Sequence, residues 1–218
     1  MHPRKTYVLF TAMWGAGMGA TATTYVPGLM ARGLTLADVA AVNIFFWLTI
    51  SVMELPTGLL ADGKSRAWSV RAGSVFCAAG AFGYATTRNF WQAALWESVI
   101  GVGFAFLSGA MQAWLADALA KRGERDAVGR AFGAAAAARA AGAVAAGTAG
   151  ALLGTIDLRF GWYLSGCCHA LAAFVAFRYM NGDGEPEERM TERQALGASL
   201  EATRRTPGLP WALVMATA

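Results

Sequence analysis

Charge is what this sequence has least of. Asp, Glu, Lys and Arg make up 15% of its 218 residues, whereas soluble proteins carry about 25%. The few charged residues are grouped between apolar stretches, and the mean hydropathy is positive. This distribution excludes an ordinary soluble domain and indicates a protein that crosses a membrane several times.

Cysteine and histidine are also scarce. The three cysteines, Cys77, Cys167 and Cys168, lie inside apolar stretches and lack metal-ligand spacing, so we expect no disulfide, no metal site and no other cofactor. His169 stands beside Cys168. A single histidine in an apolar stretch is more often a packing residue than a ligand or proton carrier, and we interpret it as packing.

What the sequence does contain is six apolar stretches. A bilayer core of about 30 Å needs roughly 20 helical residues. The stretches are long enough, although the third is short, and they cover residues 7–30, 36–61, 70–86, 90–119, 128–153 and 158–180. We therefore predict an all-α polytopic membrane protein whose residues 1–180 form one bundle of six transmembrane helices. The turns between stretches are short, so neighbours in sequence should pack antiparallel.

The positions of Lys and Arg predict the orientation, because positively charged loops stay on the cytoplasmic side. With the N-terminus inside, 14 of the 18 basic residues lie in cytoplasmic segments. Arg32, Arg88 and Arg159 fall on the outer side, and Arg139 lies inside the fifth stretch. The net charge of +4 thus follows from topology, and with no basic stripe interleaved with aromatics we expect no nucleic-acid partner.

The end of the chain differs in composition. Residues 181–208 are rich in charge and are predicted to be a cytoplasmic interdomain linker. Residues 209–218 begin another apolar stretch that is too short to cross a bilayer. We expect them to be the start of a truncated seventh transmembrane helix, and the chain to be the N-terminal half of a longer protein. The alternative is a half-size subunit that pairs with a copy of itself.

The strongest motif ends the second stretch: Glu-Leu-Pro-Thr-Gly-Leu-Leu-Ala-Asp over 54–62, then Gly-Lys-Ser-Arg over 63–66. A glycine such as Gly58 lets helices approach closely, and a carboxylate at a helix end accepts hydrogen bonds from backbone and arginine. Asp62 is therefore predicted to be a conformational latch, an ionic contact that holds one state of the protein. The cations available to it are Lys64, Arg66 and Arg71.

This motif resembles the signature of the major facilitator superfamily between its second and third helices. Gly58, Asp62, Lys64 and Arg66 match in type and approximate spacing, while Ser65 stands at the usual place of a second glycine. The Glu-x-Pro-Thr sequence is similar to that of one bacterial branch. The resemblance implies further partners for the latch in a second six-helix half.

The fourth stretch resembles the same branch. Its matching residues are Ser108, Gly109, Ala110, Ala113, Trp114 and Asp117, and Asp117 joins the predicted latch. Many members carry an arginine where this chain has Glu97, so the proton-coupling role of that arginine is not transferred.

Three ionisable residues fall inside apolar stretches: Glu54, Glu97 and Arg139. A charge in hydrocarbon normally faces a partner or a cavity. Glu97 and Arg139 lie on stretches four and five, so they are expected to pair or to flank a central cavity, with Glu54 as a competing partner. Either a substrate or proton site or a structural ion pair would produce this pattern.

Aromatic and small residues complete the expectations. Trp47 and Gln112 belong to the predicted substrate or proton pathway, and the candidate cavity aromatics are Trp14, Tyr25, Phe46, Trp47 and Phe104. The fifth stretch carries a small-residue face for close helix packing, made of Gly142, Gly147, Gly150 and Gly154.

The resemblance implies a secondary active transporter in the bacterial inner membrane that moves small organic solutes by alternating access. Its implied partners are the substrate, the bilayer, the missing C-terminal half and a proton as coupling ion. Efflux is the favoured direction, with an uptake permease as the alternative. An intramembrane enzyme would need a nucleophile and a base, and Ser108 and His169 are the only candidates. We therefore expect no enzymatic activity and no catalytic residues.

Overall fold

The computed structural model describes residues 1–180, apart from the side chains of Asp62 and Gly63. Over these residues the chain forms helices and no strand, so the all-α class is confirmed. The helices are α1 (Pro3–Ala20), α2 (Tyr25–Met30), α3 (Leu36–Gly63), α4 (Arg66–Ala85), α5 (Phe90–Leu107), α6 (Ala110–Ala120), α7 (Val128–Gly154) and α8 (Arg159–Tyr179), with a 3₁₀ turn at Arg125–Ala127. The predicted linker 181–208 and the predicted seventh helix 209–218 lie outside the described residues.

These helices form six segments that correspond to the six apolar stretches. Segment 1 is α1 with α2, segment 2 is α3, segment 3 is α4, segment 4 is α5 with α6, segment 5 is α7 and segment 6 is α8. Segments 1 and 4 are interrupted, at residues 21–24 and 108–109. In segment 4 the interruption uses Gly109, whose φ of +71° is a left-handed conformation that favours glycine.

Polar residues in the short turns fix where the helices begin. Thr35 and Asp38 form a reciprocal capping box at the start of α3, with Thr35 N donating to Asp38 Oδ2 over 2.8 Å. The side chain of Ser65 accepts from the Trp68 amide, and that of Asn89 accepts from the Gln92 amide. Each cap satisfies an amide that has no partner inside its helix. The turns predicted from composition are therefore real helix boundaries.

Four helical stretches among the described residues are long and apolar enough to cross a membrane. They are Leu36–Ala61, Phe90–Ala120, Arg125–Gly154 and Arg159–Tyr179. Segments 1 and 3 do not reach this level of apolarity. The reason lies in their composition, since α1 carries Arg4 and Lys5 in its first turn and α4 carries Arg66 and Arg71 among many small residues.

The expectation that sequence neighbours pack antiparallel is confirmed for segments 3 and 4, which pack extensively and run in opposite directions. It is wrong for segments 1 and 2 and for segments 4 and 5, which touch only lightly. Segment 1 packs most extensively on segment 5, and segment 2 packs on segment 4. Segments 1 and 5 run in the same direction, because Gly15 lies against Arg139 and Gly19 lies against Ala143. Segment 5 contacts segments 1 and 6, with only a light contact on α6, so it does not lie alongside α5.

The predicted small-residue face of α7 is confirmed as the surface that meets segment 1. A Cβ atom added at Gly142 would overlap the carbonyl of Ala12, and one at Gly150 would overlap the carbonyl of Ala20. The two backbones therefore approach more closely than any larger side chain would allow, as small residues permit between membrane helices.

The packing pattern contains an inverted internal repeat. The repeat is seen when segments 1, 2 and 3 are exchanged with segments 4, 5 and 6, respectively. The interface between segments 1 and 5 then corresponds to the interface between segments 4 and 2, and both are present. The interface between segments 1 and 6 corresponds in the same way to the interface between segments 4 and 3, and both are present as well. The smaller 2–3 and 5–6 interfaces are exchanged likewise, and the 3–6 interface maps onto itself. Because the members of each pair are three positions apart in the chain and successive segments alternate in direction, the related segments run in opposite directions. The two interrupted segments, 1 and 4, are equivalent in this repeat.

Buried apolar side chains form two main clusters, one at each end of the bundle. The larger surrounds Trp114 and Phe10, and the smaller surrounds Leu29, Val42 and Trp162. A cavity lies where the two clusters meet, since its wall includes Cys77 from the first and Trp162 from the second.

Candidate functional site

The cavity has a volume of about 300 Å³ and is lined by segments 1, 2, 3, 4 and 6. This volume lies at the lower end of the range for ligand pockets, about 300–1,000 Å³. Its wall consists of Gly17, Met18, Thr21, Ala22, Tyr25, Asn43, Phe46, Cys77, Ala81, Glu97, Ile100, Phe104, Trp162, Ser165 and His169. Tyr25, Phe46 and Phe104 were predicted as cavity aromatics, and the structure brings them together here.

Glu97 is the one acidic side chain in this wall, and it is 6% exposed. The hydroxyl groups of Tyr25 and Tyr84 approach its carboxylate closely enough to interact with it. Nevertheless Glu97 Oε2 and both hydroxyls lack a hydrogen bond of ordinary geometry to any described residue. A buried carboxylate without a full set of partners is costly, and Glu97 is therefore the group of this wall that most needs a further partner.

Two more buried polar atoms of the same wall lack a hydrogen-bond partner within residues 1–180: Trp162 Nε1 and His169 Nδ1. His169 is 4% exposed and lies against Gly17 of α1. Each buried polar group left without a partner costs about 1–3 kcal/mol. Their concentration around one cavity indicates a site built for a polar ligand or ordered water.

Aromatic rings supply the apolar part of the wall. Tyr84 and Trp162 are stacked with ring centroids 4.0 Å apart, and Tyr25 lies 6.0 Å from each of them. On the other side Phe46 and Phe104 meet edge to face at 5.1 Å. The cavity thus combines a few polar atoms with large apolar surfaces, as ligand pockets do.

Glycines on the neighbouring helices make room for these side chains. Gly101 of α5 lies against the Phe46 carbonyl and Thr49 of α3, with a Cβ position 3.0 Å from the carbonyl oxygen. Gly83 of α4 lies against the indole of Trp96. These contacts hold α5, which carries Glu97, close to α3 and α4.

Arg139 lies in a second cavity, of about 350 Å³, on the other side of the ring pair formed by Trp14 and Phe104. Its guanidinium carbon is 5.9 Å from the centre of the Trp14 ring, and Gln112 lines the same cavity. The expected direct pair between Glu97 and Arg139 is not formed. Because α7 does not lie alongside α5, the two residues flank the Trp14–Phe104 ring pair from opposite cavities.

Some of the residues predicted to form the latch make contacts between helices in the structure. Arg66 Nη1 forms an ion pair with Asp117 Oδ2 and donates to the Ala113 carbonyl over 3.3 Å, so it joins the start of α4 to α6. Arg71 Nε donates to the Ala176 carbonyl over 3.3 Å, which joins α4 to α8. The Lys64 ammonium lies 4.8 Å above the Trp68 ring. The side chain of Asp62 lies outside what the structure describes.

The double variant Arg66→Gln, Asp117→Asn should lose less stability than the sum of the losses in the two single variants. The side chains are 21% and 29% exposed, so their pairing is only partly screened, and we expect a coupling energy of about 1 kcal/mol. A double-mutant cycle from thermal unfolding measures it. The matched control pairs Lys64→Gln with Asp117→Asn, since Lys64 contacts Trp68, and should show additivity. Additive losses for Arg66 and Asp117 would contradict the predicted pairing.

The other predicted site residues are exposed in the bundle. Glu54 and Gly58 lie on the open face of α3, and nothing lies within 4 Å of a Cβ placed at Gly58. Trp47 is 61% exposed and donates to Asn43 Oδ1 over 3.2 Å. Thr57 of the same motif is buried, and its hydroxyl lies 3.1 Å from the Ala105 carbonyl, which joins α3 to α5.

The three arginines predicted for the outer side meet at one end of the bundle. Arg32, Arg88 and Arg159 line a cavity of about 430 Å³ together with Asp157. Hydrogen bonds from Arg159 hold the pKa of Asp157 at about 2. The structure thus brings the three arginines to the same end of the bundle.

Sequence reasoning missed Trp162, Tyr84 and Asn43, and it interpreted His169 as a packing residue. In an apolar stretch these side chains give no signal that separates a cavity wall from a core. His169 lines the cavity and Ser108 does not. Among the residues that the structure describes, no group of three or more His, Cys, Asp or Glu is placed to hold a metal ion.

No protein-family model matches the chain, and no curated protein is significantly similar to it.

Proposed function

We propose that the chain is the N-terminal six-helix half of a secondary transporter of the major facilitator type. It moves small organic solutes across the bacterial inner membrane by alternating access, in the direction of efflux. The direction and the superfamily rest on the motif resemblance at residues 54–66 and 96–117. The cavity around Glu97 is the proposed substrate site.

The inverted repeat supports this proposal. Halves of such transporters contain two groups of three helices related by inversion, and their substrate sites lie near the membrane midplane at interrupted helices. Here segments 1 and 4 are equivalent in the repeat, and both are interrupted. Tyr25 of segment 1 and Glu97 of segment 4 face the same cavity.

The observation that carries the proposal is the set of buried, unpartnered polar atoms in that cavity. Intramembrane ionisable groups are costly and usually mark a pathway for a solute or an ion. Glu97, Trp162 and His169 are each at least 94% buried and lie on two different segments. A structural ion pair does not account for Glu97, because none of the residues lining its cavity is Lys or Arg.

We further propose that all six segments cross the membrane, so that the first and last residues of the bundle both lie on the cytoplasmic side. The two segments of lower apolarity are well covered by their neighbours, since ten of the 18 residues of α1 are buried and eleven of the 20 residues of α4. A helix sheltered from lipid needs less apolar surface than one that faces it.

The proposed partner is a second six-helix bundle of the same protein, with the proton as coupling ion. We propose that this second bundle packs against segments 2 and 5. In each of these two segments only 11% of the residues in the most apolar stretch are buried inside this bundle. Segment 5 is rich in alanine and glycine there, which allows close helix contact.

A transport assay with the full-length gene product tests the proposal. Cells that lack their major exporters are loaded with a panel of cationic, neutral and anionic fluorescent solutes, with and without an uncoupler. At least one solute should accumulate severalfold less when the protein is present, and the uncoupler should remove the difference. Ala22→Trp fills the cavity and should abolish the effect, whereas Ala79→Trp, on an exposed position outside the cavity, should retain it.

An unchanged level of every solute would overturn the proposed function. Greater accumulation in the presence of the protein would replace efflux with uptake.

A further inference from the structure

We infer that the cavity at Glu97 binds an organic cation, an ammonium group carried on a small aromatic or aliphatic body. This inference rests on the proposed function, and it names the class of solute that the site accepts.

The charge balance of the cavity is the first argument. Glu97 is the single acid in the wall, and the wall contains no Lys or Arg. Arg139, the arginine inside segment 5, lines the other cavity, beyond Trp14 and Phe104. An ionised carboxylate at this position needs a counter-charge, and without one the carboxyl takes up a proton; the protein residues of the wall provide no such counter-charge. An ammonium group does, whereas an anionic ligand would be repelled.

The aromatic wall is the second argument. Tyr25, Phe46, Phe104 and Trp162 line the cavity, and Tyr84 stacks on Trp162 behind it. A cation over the face of such rings is attracted by their negative faces, and this attraction is stronger when water is excluded. Rings that surround one carboxylate are the combination that recognises substituted ammonium ions.

The indole N–H of Trp162, which lacks a hydrogen-bond partner among the described residues, further restricts the chemical class of the ligand. An indole N–H can only donate, and Trp162 Nε1 has no partner among the described residues, so an acceptor atom on the ligand would satisfy it once the ring turns toward the cavity. An amino ether or amino alcohol offers both an ammonium for Glu97 and an oxygen for Trp162. The cavity volume of about 300 Å³ limits such a ligand to small size.

The test uses three probes of nearly the same shape: 2-phenoxyethyltrimethylammonium, its neutral carbon isostere 3,3-dimethylbutyl phenyl ether, and 3-phenoxypropanoate. Binding to the purified full-length protein is measured by calorimetry and by quenching of tryptophan fluorescence. The ammonium probe carries a permanent charge, so its protonation does not vary. It should bind at least about tenfold more tightly than either of the other two.

Glu97→Gln keeps the shape of the side chain and removes its charge. The variant should bind the ammonium probe at least about tenfold more weakly and the neutral ether unchanged. Glu124→Gln removes an acid from the loop before α7, outside the cavity, and should bind all three probes like the wild type. The ranking of the three probes on the wild type remains decisive if Glu97→Gln does not fold.

Equal binding of the ether or the carboxylate, no binding of the ammonium probe, or full binding by a folded Glu97→Gln would each overturn the inference. Transport of neutral or anionic solutes without ammonium binding would leave the proposed function intact. Ammonium binding without transport of any solute would overturn the function and leave the inference standing.

Discussion

Replacing Gly150 with Leu should abolish the folded bundle. Gly150 of α7 lies against the carbonyl of Ala20, and even a Cβ atom would overlap that backbone atom. Backbone cannot move aside as a side chain can, so the leucine must separate segments 1 and 5 along their most extensive interface. We expect a loss of about 3 kcal/mol or more. Size-exclusion chromatography of a fluorescent fusion, followed by thermal unfolding, measures the outcome.

Gly129→Leu is the matched control for this prediction. Gly129 is in the first turn of the same helix, and nothing lies within 4 Å of a Cβ added there. Since Leu favours a helix by nearly 1 kcal/mol over Gly, this variant should elute normally with an unchanged or higher melting temperature. Normal elution and melting of Gly150→Leu would contradict the close packing of α7 on α1.

Replacing Trp162 with Ala should destabilise the protein by about 3 kcal/mol, at the lower end of the range for a buried tryptophan. Trp162 is 5% exposed, stacks on Tyr84 at 4.0 Å and contacts Tyr25 at 6.0 Å. Lipid is as apolar as the core, so most of the loss comes from broken packing contacts and the void left behind. The shift of the melting temperature in detergent measures it.

Trp91→Ala is the control, because it removes the same side chain from an exposed position. Trp91 is 73% exposed at the start of α5, and within residues 1–180 its one ring contact is with Phe90. Its removal should lower stability by less than about 0.5 kcal/mol, as expected of exposed positions. Equal destabilisation by both substitutions would show that Trp162 does not pack as described.

The helices themselves follow from simple signals in the sequence. Runs of apolar residues and the capping residues Thr35, Ser65 and Asn89 predict where α3, α4 and α5 begin. Which helices pack against each other could not be predicted from these signals. It depends on which small residues lie opposite which carbonyls, for example Gly19 opposite Ala143, and such pairs are far apart in the chain. The interruption at Gly109 was also missed, because one glycine among many gives no sign of a left-handed φ.

The candidate site was predictable where a residue violates the apolar pattern. Glu97 stood out for that reason, and so did Arg139, although their direct pairing required an interface between α5 and α7 that the packing does not provide. Arg66 and Asp117 were both singled out from the motifs, and their contact spans 51 residues of sequence. Trp162 and Tyr84 were not, since an aromatic ring in a cavity wall and one in a core look alike in sequence, and His169 was interpreted as a packing residue for the same reason.

Accessibility of the cavity from both sides of the membrane is the most direct test of alternating access. Asn43 lines the cavity and is exposed, so we would place a single cysteine there, with Cys77, Cys167 and Cys168 replaced by Ala. A membrane-impermeant thiol reagent is then applied to intact cells and to inside-out vesicles. The proposed transporter predicts labelling of Asn43→Cys from each side, because both states of the cycle are populated. Labelling from one side only, or from neither, would contradict it.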